Sequence, residues 1–557
     1  MQTSAPSRYA GGSARVGKIS MDFDYIIVGA GSAGCVLADR LTESGRHKVL
    51  VLEAGGSDYR FWVQVPLGYG RTFWDPEVNW GYRTEPDPGL AGQTDYWPRG
   101  KVLGGSSSIN AMVFIRGNPA DYDDWAAAGN PGWGWSDVLP LFRGLEHNEG
   151  GASDFRGVNG KLHVSDVADA LHPLARIYLK AAREAGLALN ADMNGPEQDG
   201  AGLYQITTKN GRRMSAARAF LHPAMRRSNL RVETRALATR LMFDGKRVTG
   251  VAYRQGDKTL IARAGREVIL AGGAINSPQL LQVSGIGPAA HLQSLGLPVE
   301  LDQPNVGQHL SDHLGLNYTF RSRIPTLNSV LRPWWGKLLA GMQYVMLRRG
   351  PLSLSLNQAG GFFRTRPELT RPNMQLYLQA ISTLTAQKGT RPLLNPDPFD
   401  AFNLGLSSCR PTSRGSIMIR SADPTAPPRI VANGYSTEHD VAEMLDAVKF
   451  LRKLAATPSL AAVIAEELAP GPAVQSDDEL IADFRKRSGT VYHPVGTCRM
   501  GLDASGAVVD ARLRVHGLSG LRVIDASIMP NIVSGNTNAA ALMIGAKGAA
   551  LVLEDAK

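Results

Sequence analysis

Cysteine is scarce. The three in 557 residues, Cys35, Cys409 and Cys498, lie far apart and form no CxxC pair, which excludes a disulfide framework and a cysteine zinc site. A reducing, cytoplasmic compartment is the expectation, and no metal is expected. No uninterrupted apolar run approaches the roughly 20 residues that span a bilayer, so the chain is expected to be soluble, with peripheral contact at the inner membrane as the second reading. The first 20 residues, MQTSAPSRYAGGSARVGKIS, contain no acid and no apolar central segment. That excludes a secretory signal and predicts a disordered tail ahead of Met21. The net charge of +10 includes Arg8, Arg15 and Lys18 of that tail, and the remainder does not call for nucleic acid. What is present is an ordinary globular composition, 43% hydrophobic and 20% charged, on a chain long enough for two intimately joined domains.

The stretch FDYIIVGAGSAGCVLADRL starts with an apolar run, Tyr25 to Val28, passes through Gly29, Gly31 and Gly34, and continues with helical spacing at Cys35, Ala38 and Leu41. It reads as strand, turn, helix. A second apolar run from Lys48 to Leu52 ends in Glu53. The glycines permit a tight turn and close approach of a pyrophosphate to a helix N-terminus, and the acid can accept both ribose hydroxyls of a cofactor without a 2′-phosphate. This unit does not separate NAD from FAD. No second GxGxxG follows in a βαβ setting and no redox CxxC or CxxxxC occurs, so the bound group must exchange electrons directly with substrate and partner.

Two further stretches are glycine-rich. PRGKVLGGSSSINAMVFIRG, Pro98 to Gly117, places Gly104 and Gly105 before three serines and Asn110, a loop whose amides can approach a flat ring. GAINSPQLLQVSGIG, Gly273 to Gly287, follows the apolar run Val268 to Ala271, with Ser277 expected as N-cap and Pro278 as the first helical residue. Both stretches resemble the two signature segments of the glucose-methanol-choline (GMC) oxidoreductases, and the resemblance runs from Asp24 to the final AAALMIGAKGAALVLE, nearest to bacterial FAD-dependent alcohol dehydrogenases. It implies an α/β (α+β) fold: a Rossmann-like FAD-binding domain (21–160, 225–315 and 480–557) interleaved with a substrate domain (161–224 and 316–479) built on a β-sheet with helices on its outer face. It further implies FAD contacts at Gly29, Gly31, Ser32, Ala33, Gly34, Glu53, Ala54, Arg99, Val102, Gly104, Gly105, Asn110, Ala111, Met112, Val113, Val232, Asp525, Ala526 and Thr537. Members with covalent flavin carry a histidine just before the asparagine of the first segment; Ile109 stands there, so non-covalent FAD is expected.

Near the C-terminus TVYHPVGTCRMG holds His493 between Tyr492 and Pro494, and the proline restricts the histidine to extended backbone. Downstream, after a strand Leu521 to Ile524 ending at Asp525, SGNTNAAALMIGAKG places Asn536 where the family has a histidine or asparagine facing the catalytic histidine. By that match His493 and Asn536 form the pair, and Asn538 is left as a turn or cofactor contact. A neutral histidine suits removal of a hydroxyl proton near neutral pH, and an amide can donate to the developing alkoxide without competing as a base.

The leading reading is therefore FAD-dependent oxidation of a primary alcohol, with hydride transfer to flavin N5 and electrons passed to a quinone-type acceptor. An oxygen-using oxidase and a choline dehydrogenase are the alternatives. A lyase or fatty-acid photodecarboxylase is a further one, because CRP at Cys409–Pro411 resembles a cysteine segment of the latter; a non-catalytic flavoprotein is a third. Choline-handling relatives place an acid shortly after an Asp-His pair, whereas Asp312 and His313 are followed by Leu314 and Gly315. A neutral, largely apolar alcohol is therefore expected. The stretch VLRPWWGKLLAGMQYVMLRRGPL reads first as a core or lid helix and second as a membrane-facing patch.

Overall fold

The computed structural model describes residues 22–385, 393 and 395–557; the tail expected at 1–20 lies outside them. Strand β1 (Asp22–Val28), helix α1 (Ser32–Thr42) and strand β2 (Val49–Glu53) form the first unit. β1 lies between β2 and the strand Lys258–Leu270, parallel to both; Leu230–Thr234 extends the sheet beyond β2, and Leu521–Val523 pairs with the far end of Lys258–Leu270. Registers Val28↔Leu52, Val28↔Leu270 and Leu270↔Val523 bring four carboxyl ends to one edge. Tyr25, Ile26, Ile27 and Val49 through Leu52 are all buried, the continuous apolar strand pattern of a sheet covered on both faces. An antiparallel ribbon, Ala236–Asp244 with Arg247–Gln255, completes this sheet on the first half of Lys258–Leu270.

A second, antiparallel sheet runs in the order Ile464–Ala469, Leu314–Ser322, Ala401–Ser408, Met374–Gln379, Asn357–Phe363 and Gly200–Leu203, with Gly489–Thr490 paired to Leu314 and Gly315. Side-chain alternation gives it two faces. Leu376, Leu378 and Leu404 join the core beneath helices Leu174–Glu184 and Glu438–Ala455, while Tyr377, Gln379 and Asn403 turn towards a cavity shared with the first sheet.

One local expectation fails. The helix after Val268–Ala271 begins at Gly273 and runs to Val283, so Pro278 lies inside it and Ser277 is not its N-cap. Proline at 278 leaves the carbonyl of Ala274 without its helical donor, and the Thr497 hydroxyl donates to that oxygen at 2.6 Å. Ser277 instead donates to Asp525 Oδ2 at 2.6 Å, tying the helix to the end of Leu521–Val523.

The segment expected as a core or lid helix is a helix, Trp334–Leu347, but not a core one. It buries only Gly336, Ala340 and Tyr344.

Candidate active site

The four aligned strand ends open on a cavity of ≈ 650 Å³, the crevice position at which doubly wound sheets bind ligands. Gly29, Gly31, Ser32 and Ala33 line one part of it. No side chain caps α1 at Gly31, so its first-turn amides are left for an anionic ligand. Glu53 Oε2 accepts from the Ala30 amide and Oε1 from Gly55, each at 2.8 Å, which fixes the carboxylate at the rim; burial pushes its pKa up to about 7. A Cβ on Gly29 would sit 2.5 Å from the Ala271 oxygen, and one on Gly105 would sit 2.7 Å from Gly31 Cα. The loop and both turns therefore close to backbone distance, and the cradle they leave fits a dinucleotide. Arg213, fully buried, donates to Asn110 Oδ1 at 2.8 Å and to the Asn110 carbonyl at 2.6 Å, fixing the loop from behind.

The other part of the cavity holds His493. Its backbone amide donates to Asp312 Oδ1 at 2.7 Å, Asp312 Oδ2 accepts a short hydrogen bond from Thr490 Oγ1, and the Tyr492 amide donates to Thr490 Oγ1 at 2.7 Å. Tyr492 has φ +73°, a left-handed backbone that a bulky residue adopts only when its surroundings impose it. Arg99 Nη2 holds its carbonyl at 2.6 Å. The aim of the histidine thus comes from this clamp as well as from Pro494. Burial raises Asp312 to about 7 and lowers Arg99 to about 10, each drawn partly back by the other's charge.

The ring's proton position follows from its neighbours. His313 Nε2 lies 2.9 Å from the Cys409 carbonyl, an atom that can only accept, so this nitrogen carries the hydrogen. Burial lowers His313 to about 4, so the ring is neutral and its Nδ1 is an acceptor. His493 Nδ1, at 3.0 Å from it, must then donate. His493 Nε2 is left with its lone pair, 3.3 Å from Asn536 Nδ2. Burial first, then His313 and Arg99, hold the His493 pKa well below the ordinary value. Asn536 is oriented in turn: its Oδ1 accepts from Gln375 Nε2 at 3.2 Å, and Gln375 Oε1 accepts from Tyr377 at 2.6 Å.

Of the residues expected at the cofactor, Gly29, Gly31, Ser32, Ala33, Glu53, Ala54, Arg99, Gly105, Asn110, Ala111, Met112, Val113, Asp525, Ala526 and Thr537 line the cavity, as do His493 and Asn536. Gly34, Val102, Gly104 and Val232 do not. Gly34 packs α1 on the Gly29 carbonyl, Val102 lies in a small cluster with Val63, Val78 and Ile109, Gly104 backs onto Ser108 and Ala217, and Val232 is mid-strand beside Val51. The cavity wall runs instead along Ala236, Leu237 and Ala238. Asn538 accepts from Ser32 Oγ at 2.7 Å, so of the two asparagines Asn536 is the one at His493. His313 and Gln375 are site residues that no local motif marks, apart from the Asp312–His313 pair itself. Cys409 is buried and does not line the cavity, and its carbonyl serves His313. Tyr69, Phe73, Trp74, Tyr96 and Tyr492 give the cavity an aromatic wall.

The chain matches GMC oxidoreductase profiles over residues 23–315 and 411–545, and it belongs to that family; it is a flavoprotein oxidoreductase with FAD as cofactor. It is 42% identical over 535 residues to an alcohol dehydrogenase (acceptor) of Pseudomonas putida, covering 95% of this chain and 96% of the relative. It is also 42% identical over 540 residues to a mitochondrial choline dehydrogenase of Mus musculus, covering 95% and 89%. A formate oxidase of Aspergillus oryzae, characterised for FAD modification, superposes with a TM-score of 0.89 at 26% identity, covering 96% of this chain and 98% of that one.

Proposed function

We propose that this protein oxidises a neutral, largely apolar primary alcohol to its aldehyde and passes the electrons to a quinone-type acceptor. The observation carrying this reading is the lone pair of His493 Nε2 presented beside Asn536 Nδ2 in a chamber whose only carboxylates, among the described lining residues, are Glu53 and Asp525 at the strand ends of the nucleotide sheet. His493 takes the hydroxyl proton at Nε2, and its Nδ1 hydrogen, held by His313, keeps the resulting imidazolium oriented. Asn536 donates to the oxygen as it gains charge. FAD, when bound, supplies the hydride acceptor. Its phosphates suit the α1 amides, its ribose suits Glu53, and its ring system suits the Gly105–Val113 loop.

A quaternary ammonium would meet Arg99, whose charge already bears on His493, while Asp312, the carboxylate behind them, is taken up by the His493 amide and Thr490 and is not among the cavity-lining residues. The aromatic wall offers cation–π contact, but the missing ion pair should cost choline roughly 1.5–3 kcal/mol, about ten- to a hundredfold. Steady-state kcat/KM with a quinone or dye acceptor should therefore rank hexanol and benzyl alcohol above choline. A choline value above both sinks the substrate reading, and rapid stoichiometric peroxide formation in air sinks the acceptor.

Non-covalent attachment of FAD is supported by Ile109, which lines the cavity, and by the absence of cysteine among its described lining residues. Acid precipitation should release all the flavin into the supernatant; flavin retained in the pellet refutes it.

A further inference from the structure

The helix Trp334–Leu347 reverses the pattern of a surface helix. Its small residues Gly336 and Ala340, with Tyr344, face the protein, while Trp334 (76% exposed), Trp335, Leu338, Leu339, Met342, Val345, Met346 (72%) and Leu347 face outward. Tyr59, Phe61 and Val330 are further exposed apolar groups, and Phe61 meets Tyr344 edge-on at 6.5 Å. A contiguous apolar surface of this kind on one element marks a docking site. Its surroundings state the partner's charge. No aspartate or glutamate occurs between Asp312 and Glu368, whereas Arg332, Lys337, Arg348 and Arg349 bracket or interrupt the helix. The charges of Arg348, Arg212 and Arg218 also bear on Tyr344. At 14 residues the helix is about 21 Å long, too short to cross a bilayer, and no described helix is long and apolar enough to do so.

We propose that this face is a membrane-surface anchor: the helix lies in the headgroup plane of an anionic bilayer, its paired tryptophans and leucines in the acyl boundary and its cations on lipid phosphates. The turn Pro351–Ser353 packs against both this helix and Pro66–Gly68, and the following residues Tyr69, Gly70 and Phe73 line the active-site cavity. A docked enzyme therefore has that cavity wall on the membrane side. The anchor is independent of which alcohol is oxidised, so its test and the substrate test fail separately.

The full-length, FAD-loaded protein should co-sediment with phosphatidylcholine vesicles containing phosphatidylglycerol and much less with phosphatidylcholine alone. Brominated lipid should quench part of the tryptophan fluorescence. The triple variant Trp334→Ser, Leu338→Ser, Met346→Ser should lose roughly tenfold or more in affinity per side chain, keeping its flavin and its turnover of a short alcohol in water. Lys337→Glu with Arg349→Glu should abolish the preference for anionic vesicles. Protein that stays in the supernatant with both vesicle types and shows no quenching overturns the proposal. So does a wild-type dimer that the triple variant dissociates, which would assign the face to a second copy of the chain.

Discussion

Replacing His493 by alanine is expected to slow flavin reduction by an alcohol by about 10²–10⁴-fold while FAD stays bound. His493 lines the chamber but holds no part of the glycine cradle, and its backbone tie to Asp312 is through the amide, which alanine retains. Asn536→Ala should cost about 10²–10³-fold, since it removes the donor beside His493 Nε2. The pH profile gives an independent signature. With the His493 pKa held well below 6.5 by burial, His313 and Arg99, the base is neutral across the physiological range, and protonation of His493 itself should lower the rate as pH drops through that lowered value. The limb that His493 contributes thus lies below pH 6.5 in the wild type and is missing in His493→Ala. Anaerobic stopped-flow measurement of flavin bleaching reads both quantities. A His493→Ala reduction rate equal to wild type removes the base from the mechanism.

Gly34→Ala should weaken FAD binding although residue 34 does not itself line the cavity. A Cβ at this position would sit 1.9 Å from the Gly29 carbonyl oxygen, a backbone atom that cannot swing aside. Helix α1 must then lift from the turn that presents Gly29 and Gly31. Overpacking of this kind costs ~1–3 kcal/mol, and because the displaced element is the amide cradle itself, that cost should appear as a loss of FAD affinity of roughly ten- to a hundredfold. Gly341→Ala, where an added Cβ meets nothing within 4 Å, is the control and should bind FAD normally. Titration of the deflavinated proteins with FAD, followed by flavin fluorescence, measures the difference; equal affinity for Gly34→Ala and wild type would mean that α1 is not the phosphate cradle.

Some of this architecture is written locally. The unit from Asp22 to Glu53 could be read directly because its signals are short-range: apolar strands buried on both faces, glycines at the turn, and an acid at the next strand's end all lie within one continuous stretch. The helix at Gly273 shows where local rules stop. Pro278 should open a helix, yet it sits inside one because Thr497, more than two hundred residues away, satisfies the carbonyl that the proline orphans. Likewise, a proline after His493 says that the backbone is constrained, but the left-handed Tyr492 and its clamp by Asp312 and Arg99 involve partners from three segments.

The dinucleotide unit and the resemblance to the GMC oxidoreductases could be read from the chain alone, because both rest on residues close together or on motifs carried intact, and that resemblance is also what pointed to His493 and Asn536. Tertiary contacts were needed to say which nitrogen of His493 carries the lone pair, since that follows from Cys409 through His313, and which way the Asn536 amide points, since that follows from Gln375 and Tyr377. The tertiary structure alone decided that the apolar helix at Trp334 turns its tryptophans, leucines and methionines outward. Periodicity can show that a helix has an apolar side, but which side meets the protein depends on how closely the neighbouring elements approach, and here they take in only Gly336, Ala340 and the ring of Tyr344.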